Sequence, residues 1–239
     1  ATRVRASIRD DRVRVDGIAL EGRPDQEIAA FATREDVSLI AAAAHSQTSA
    51  GHWTIGRTAD KVIRAASKPV LLIRLGATSA RAANGMLDRI LVPLDGSRMS
   101  RDVLAHATAL LDSAVPSPQW KLVITHVVPS NHYAAGPLIA KRVPYTRTEL
   151  EDLQRQASRY LEEVAIRLRA GGKHVESRVA VGEDVATTIL QTSADVGANL
   201  IAMTTHGHSG FSRLFLGSVA ERVLHSTTTP LLLVRPATE

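Results

Sequence analysis

With 239 residues, 44% of them apolar and only 3% aromatic, the chain can bury one large or two modest cores built from Ala, Val, Leu and Ile. It has no cysteine, which excludes disulfides, thiolate metal sites and a cysteine nucleophile and agrees with a cytoplasmic setting. The net charge of +5 is spread along the chain with no Lys/Arg block, which argues against nucleic acid while favouring an anionic ligand, and no apolar run approaches the roughly 18–20 residues of a membrane span.

The chain opens on Ala-Thr-Arg-Val-Arg, which reads as a trimmed start. Residues 13–21 alternate in the manner of a strand. Residues 39–74 read as a strand, loop, helix and second strand, the last being Pro69–Arg74. A linker at 81–88 separates this N-terminal part, residues 1–80, from a second part, residues 89–239. There, residues 89–94 (RILVPL) form a short apolar run and hence a buried strand. Asp95-Gly96-Ser97 is a turn, and residues 100–111 place Val103, Leu104, Ala107, Leu110 and Leu111 on one helical face. Residues 121–128 (KLVITHVV) make a second buried strand, and residues 130–146 read as a polar loop. Thr148-Glu149-Leu150-Glu151 fits a capping box opening a long helix that Gly171-Gly172 closes. An alternating strand at 175–181, a helix at 184–193, a buried strand at 199–203, a helix at 218–225 and a last strand, Pro230–Arg235, complete the part. Strands alternating with helices predict a parallel, doubly wound α/β sheet.

Shifted so that Leu39 lies on Leu200, residues 39–74 match 200–235 without a gap: Ile40 with Ile201, His45 with His206, Gly56 with Gly217, Pro69 with Pro230 and Arg74 with Arg235. Register over a whole strand–loop–helix–strand unit indicates an internal duplication. The first copy lacks the two opening strands of the second. By the length of the second copy, roughly 70–80 further residues are expected upstream.

Two motifs carry chemistry. In the first, Thr204-Thr205-His206-Gly207-His208 follows a buried strand, and nine residues separate Gly207 from Gly217-Ser218 at the start of a helix. Gly207 permits close backbone approach, and the free N–H groups at the helix start, with the Ser218 hydroxyl, suit a phosphate. The plainer reading makes Gly207 a turn glycine and Ser218 an N-cap. In the second, Pro93-Leu94-Asp95 ends the strand at 89–94, and Asp95 can accept from a ribose hydroxyl or a base amino group. Its plainer role is to form the turn. The nine His residues include His206, His208, His126 and His106, but no carboxylate or cysteine set completes a tetrahedral metal site.

Together ILVPLDGS (90–97), THV (125–127), THGHSG (205–210), FLGSVAERVL (215–224) and TTPLLLV (228–234) resemble the universal stress protein family. The resemblance implies an open five-stranded parallel sheet of strand order 3-2-1-4-5, of the adenine-nucleotide α-hydrolase-like type, here duplicated with an incomplete first copy. A switch point then lies between the first and fourth strands. It implies ATP or a related adenine nucleotide as ligand of the second copy. Pro93, Leu94, Asp95 and Val127 would form its base, Met203 and Thr204 would lie beside the ribose, and Gly207, His208, Gly217, Ser218 and Val219 would surround the phosphates. Thr204 stands where the family's ATP-binding pattern has its first glycine. In the first copy Ala43, Ser46 and Arg57 replace Thr204, Gly207 and Ser218, so at most one nucleotide site per chain is expected. Family members pair their last strands across a two-fold axis. That implies an intrachain pseudo-dimer through Pro69–Arg74 and Pro230–Arg235, compatible with further homodimerisation.

No Walker A, Rossmann or nucleophile-elbow pattern is present, and no residue is assigned a catalytic role; at most slow ATP hydrolysis is compatible. Two functions stay open: a nucleotide-responsive regulator of a stress response, and a nucleotide-independent scaffold whose site has decayed.

Overall fold

The computed structural model describes residues 14–44, 46–47, 53–74, 88–113, 120–134, 141–206 and 216–236. In chain order these form α1 (Pro24–Phe31), β1 (Ile40–Ala44), β2 (Ser46–Gln47), β3 (Trp53–Thr54), α2 (Arg57–Ala65), β4 (Val70–Arg74) and β5 (Arg89–Pro93). There follow a 3₁₀ turn (Met99–Arg101), α3 (Asp102–Ser113), β6 (Lys121–Pro129), β7 (Asn131–Ala134), β8 (Lys141–Pro144) and α4 (Arg147–Ala170). The chain continues with β9 (Val175–Gly182), α5 (Val185–Asp195), β10 (Leu200–Thr204), α6 (Ser218–Ser226) and β11 (Leu231–Val234).

Seven strands join one sheet in the order β1-β4-β11-β10-β5-β6-β9. Read within the second copy, β9-β6-β5-β10-β11 is the order 3-2-1-4-5. All of its neighbours run parallel, as connections through crossover helices require. In the first copy β1 pairs parallel with β4, repeating the β10–β11 unit. The two copies meet where β4 and β11 pair antiparallel, Leu72 opposite Leu231, Leu71 opposite Leu232 and Val70 opposite Leu233.

The seam determines how the core is laid out. Successive strand residues face opposite sides of a sheet, so each face collects alternate positions from both copies. One face gathers Leu72, Val70, Leu91, Ile201, Leu231 and Leu233 beneath α2, α5 and α6, through Val62, Ile63, Ile189, Val223 and Leu224. The other gathers Leu71, Ile90, Val92, Ile124, Leu200 and Leu232 beneath α3 and α4, through Val103, Leu111, Leu161 and Val164. Both cores cross the boundary between copies. The first copy has no counterpart of α3 or α4 among the described residues, and β1 answers with alanines: Ala41 and Ala43 lie exposed where larger side chains would leave an apolar face in water.

Three local expectations are corrected. Residues 14–21 form no strand; the corresponding β9 is held by β6 alone, and with no counterpart of β6 among the described residues this segment has no ladder to join there. Its Ile18 and Leu20 stay exposed. Within the segment read as a polar loop, β7 and β8 pair as an antiparallel hairpin, with the Arg142 guanidinium over the Tyr133 ring. The cap of α4 is Thr146, not Thr148. Its hydroxyl accepts from Glu149 N while Glu149 returns a bond to Thr146 N at 2.8 Å. The reciprocal pair needs the acid at the third helical position, which Glu149 holds relative to Thr146. The sequence also opens α1 with Pro24 at its first position, where a missing N–H costs nothing; this helix is the counterpart of α5.

Replacing Leu72, which is 1% exposed at the seam, by alanine is expected to lower stability by about 2–5 kcal/mol. Urea unfolding should remain a single transition, since both cores are shared. Two separated transitions would show that the copies unfold independently.

Candidate functional site

The strand order reverses at β5, whose connection leads to β6 on one side while β10 flanks it on the other. At this point, outside the carboxyl ends of the three strands, lies a cavity of about 400 Å³, within the range of small-molecule sites. Pro93, Leu94 and Asp95 enter from β5, His126 and Val127 from β6, Met203 to His206 from β10, Val185 and Ile189 from α5, and Gly217 to Ala220 from α6.

Of the eleven residues singled out from the sequence, nine line this cavity: Pro93, Leu94, Asp95, Val127, Met203, Thr204, Gly217, Ser218 and Val219. Gly207 and His208 lie outside the described residues. Four chain segments distant in sequence are thus brought together by strand ends and one helix start.

Local chemistry fixes each wall. Asp95 accepts from Ser97 N at 2.9 Å, an Asx turn that Gly96 completes with φ of +88°. Ser97 and Ser100 continue it, Ser100 N donating to Ser97 Oγ at 3.0 Å and Ser100 Oγ to Ser97 O at 3.0 Å. The Asp95 carboxyl therefore sits on a turn braced at both ends. Across the cavity, Gly217 N donates to Thr205 O at 2.7 Å, drawing the start of α6 onto the end of β10. A Cβ at Gly217 would stand 3.2 Å from that same Thr205 O, so any side chain there would have to push the loop back by a few tenths of an ångström, and glycine suits the close approach. Gly217 is the N-cap, without a capping side chain, and Ser218 is the first helical residue. The N-cap role considered for Ser218 is thereby corrected. The hydroxyl of Ser218 is exposed at the N-terminus of α6, where backbone N–H groups have no helical acceptor.

Thr204 is only 7% exposed. Its hydroxyl donates to His206 O at 2.8 Å, so the side chain braces its own loop. Thr205 Oγ1 lies 3.1 Å from His206 Nδ1. Burial, with a smaller contribution from the positive charge of Arg235, pushes the His206 imidazole below its ordinary value, so it is neutral at neutral pH and adds no cation to the cavity. Burial also lowers the Arg235 guanidinium. Asp184 caps α5 by accepting from Thr187 N at 2.9 Å and also pairs with Arg222 of α6. Its carboxyl is lowered to about 2, first by the Thr187 backbone bond and further by Arg222. That pair ties together the two helices that wall the cavity.

Sequence reasoning missed His126, Ser100, Val185 and Ile189 as lining residues. His126 carried a usable signal, an imidazole interrupting the apolar run of β6 beside the switch point, at a half-buried position of the strand. Among the described residues no group of three or more His, Cys, Asp or Glu is placed to hold a metal ion, and no helix is long and apolar enough to cross a membrane.

A family model described as the universal stress protein family matches residues 2–74 and 86–235. Universal stress protein YxiE of Bacillus subtilis is 29% identical over 155 residues, covering 63% of this chain and 100% of its own length. Universal stress protein Sll1388 of Synechocystis is 26% identical over 156 residues, 62% of this chain and 97% of its own. The crystal structure of a universal stress protein from Archaeoglobus fulgidus matches 90% of this chain and 66% of that one with a TM-score of 0.58 at 19% identity, a likeness of fold.

Asp184→Asn keeps the cap geometry and removes the charge. Because the folded carboxyl lies near 2, below its ordinary 3.8, its stabilisation is present in full above about pH 4 and is lost as pH falls through 2. The wild type should exceed the variant by about 0.5–1 kcal/mol at neutral pH, after solvent screening of this partly exposed pair. The gap should close towards pH 2 in chemical denaturation; a gap independent of pH would refute the assignment.

Proposed function

The chain belongs to the universal stress protein family, and from that premise we propose that its second copy binds ATP or a related adenine nucleotide in the switch-point cavity, making the protein a nucleotide-responsive regulator of a stress response. The observation that carries this reading is the convergence of Asp95, Val127, Met203, Gly217, Ser218 and Val219, from four separated segments, on one cavity at the carboxyl ends of β5, β6 and β10. Ligands of open α/β sheets occupy that place.

The chemistry of the lining supports an adenosine phosphate. Leu94, Val127, Val185, Ile189 and Met203 offer an apolar slot for a flat base. Asp95, held on its braced turn, is a hydrogen-bond acceptor for an amino or hydroxyl group. The N–H groups at the start of α6, with the Ser218 hydroxyl, suit an anionic tail in both hydrogen bonding and dipole direction. Thr204, bonded to His206 O, leaves the cavity open beside it, which favours an occupied site over a decayed one. Among the described lining residues Asp95 is the one carboxylate, and the reading is of binding and signalling.

Isothermal titration with ATP should show saturable binding at one site per chain. Gly217→Asp should abolish it. Ser218→Asp is the cleaner variant: a carboxylate in the first turn of a helix is tolerated or stabilising, yet it repels a phosphate. It should keep thermal stability and cost at least about tenfold in affinity. Flat titrations of the wild type with ATP, ADP and AMP would leave the scaffold reading in its place.

A further inference from the structure

At the seam between copies, Arg64 of α2 reaches across to α6. Its Nη2 donates to Glu221 Oε1 at 2.8 Å and Oε2 at 3.1 Å, while Nε donates to both Asp60 oxygens at 3.1 Å. All three side chains are about two-thirds buried. His225 Nε2 lies 3.1 Å from Glu221 Oε1, and Arg235 donates to the Arg64 carbonyl. The duplication makes this cluster pseudo-symmetric in position but not in charge. Asp60 is the counterpart of Glu221 and Arg64 the counterpart of His225. Of these two paired positions, the guanidinium stands on the first copy and an imidazole on the second.

Glu221 occupies the first turn of α6, its N–H bonded to Gly217 O at 2.9 Å. An acid there stabilises the helix itself, but it also places a negative charge roughly 6 Å along the axis from the N-terminus. That distance is shorter than the screening length of about 8–10 Å at physiological salt. An anion at Gly217-Ser218 would be repelled by it. Resting on the nucleotide reading above, we infer that Arg64 is a charge-compensating positioning residue: the degenerate first copy supplies a cation, shared with its own Asp60, that offsets part of the Glu221 charge and so favours the nucleotide's phosphates at the start of α6. The first copy thereby contributes to the electrostatics of the second.

The test is titration of the full chain with ATP and with uncharged adenosine, at low salt and at about 1 M salt. Arg64→Gln should weaken ATP binding about two- to fivefold at low salt, leave adenosine unchanged, and lose its effect at high salt. Arg64→Lys should hold wild-type affinity. Glu221→Gln should tighten ATP binding, and adding it to Arg64→Gln should restore wild-type affinity. The inference is overturned if Arg64→Gln binds ATP like the wild type, if it loses ATP and adenosine alike, or if Glu221→Gln neither tightens binding nor rescues. Should Arg64→Gln fail to fold, Glu221→Gln alone decides, since it leaves the guanidinium paired with Asp60. A wild type that binds no ATP removes the nucleotide reading and this inference together, whereas wild-type binding indifferent to residues 64 and 221 removes only the inference.

Discussion

Three backbone pairs, Leu72 with Leu231, Leu71 with Leu232 and Val70 with Leu233, turn two unequal pieces of chain into one sheet. A last strand with an open edge presents unpaired N–H and C=O groups, and an apolar edge of this kind needs either a partner or protection. Here each copy is the other's protection. Because the joined strands are also buried on both faces, the hydrogen bonds are accompanied by apolar contact on either side, and β11 becomes an interior strand. The first copy has only two strands in the sheet among the described residues, β1 and β4, too few to enclose a core by themselves. Its order follows from the second copy's.

The seam has consequences for the cavity. β11 lies beside β10, and Thr205 N donates to Val234 O at 2.8 Å, so the strand that meets the first copy also holds the loop that carries Thr204 and His206. From that loop, Thr205 O holds Gly217 N. A chain of backbone contacts therefore runs from the edge-to-edge pairing to the start of α6 without passing through a flexible side chain. Side chains reinforce it from both sides: Arg222 to Asp184 of α5, Arg64 to Glu221. The helix start that would meet an anion is fixed by its neighbours before any ligand arrives, which reduces the ordering that binding must supply.

Much of this was legible in the residues. Buried β5, β6, β10 and β11 announced themselves as short Val/Ile/Leu runs, and the duplication carried β1, α2 and β4 with them by register alone. The cavity-lining positions were legible for a similar reason, because Gly217, Ser218 and Asp95 stand at strand ends and helix starts, where the chain must turn. What failed were inferences that depended on a partner. Residues 14–21 alternate as a strand does, yet alternation describes a surface and not the ladder that must receive it. The β7–β8 hairpin hid in a polar segment because it covers no core. Thr148 and Thr146 both precede acids, and only the helix start decides which is the cap. Val185 and Ile189 look like ordinary core positions of a helix, and their place in the cavity wall comes from how α5 packs.

The two copies also share one turn in different surroundings. Gly56 and Gly217 have nearly the same backbone, φ −58° and ψ 143° against φ −60° and ψ 149°, so the duplicated loop-to-helix turn has kept its shape. Its surroundings have not. A Cβ on Gly217 would stand 3.2 Å from Thr205 O, while among the described residues one on Gly56 meets nothing within 4 Å. A side chain at the second turn would therefore press on the neighbouring loop. The cavity of the second copy is bounded by the ends of three strands, and among the described residues the first copy supplies the equivalent of one, β1. At the matching helix start, Arg57 stands at the first helical position, against the helix dipole. A loop-to-helix turn is local and survives duplication, whereas a cavity like that of the second copy is a property of neighbouring strand ends and of the helix packed against them.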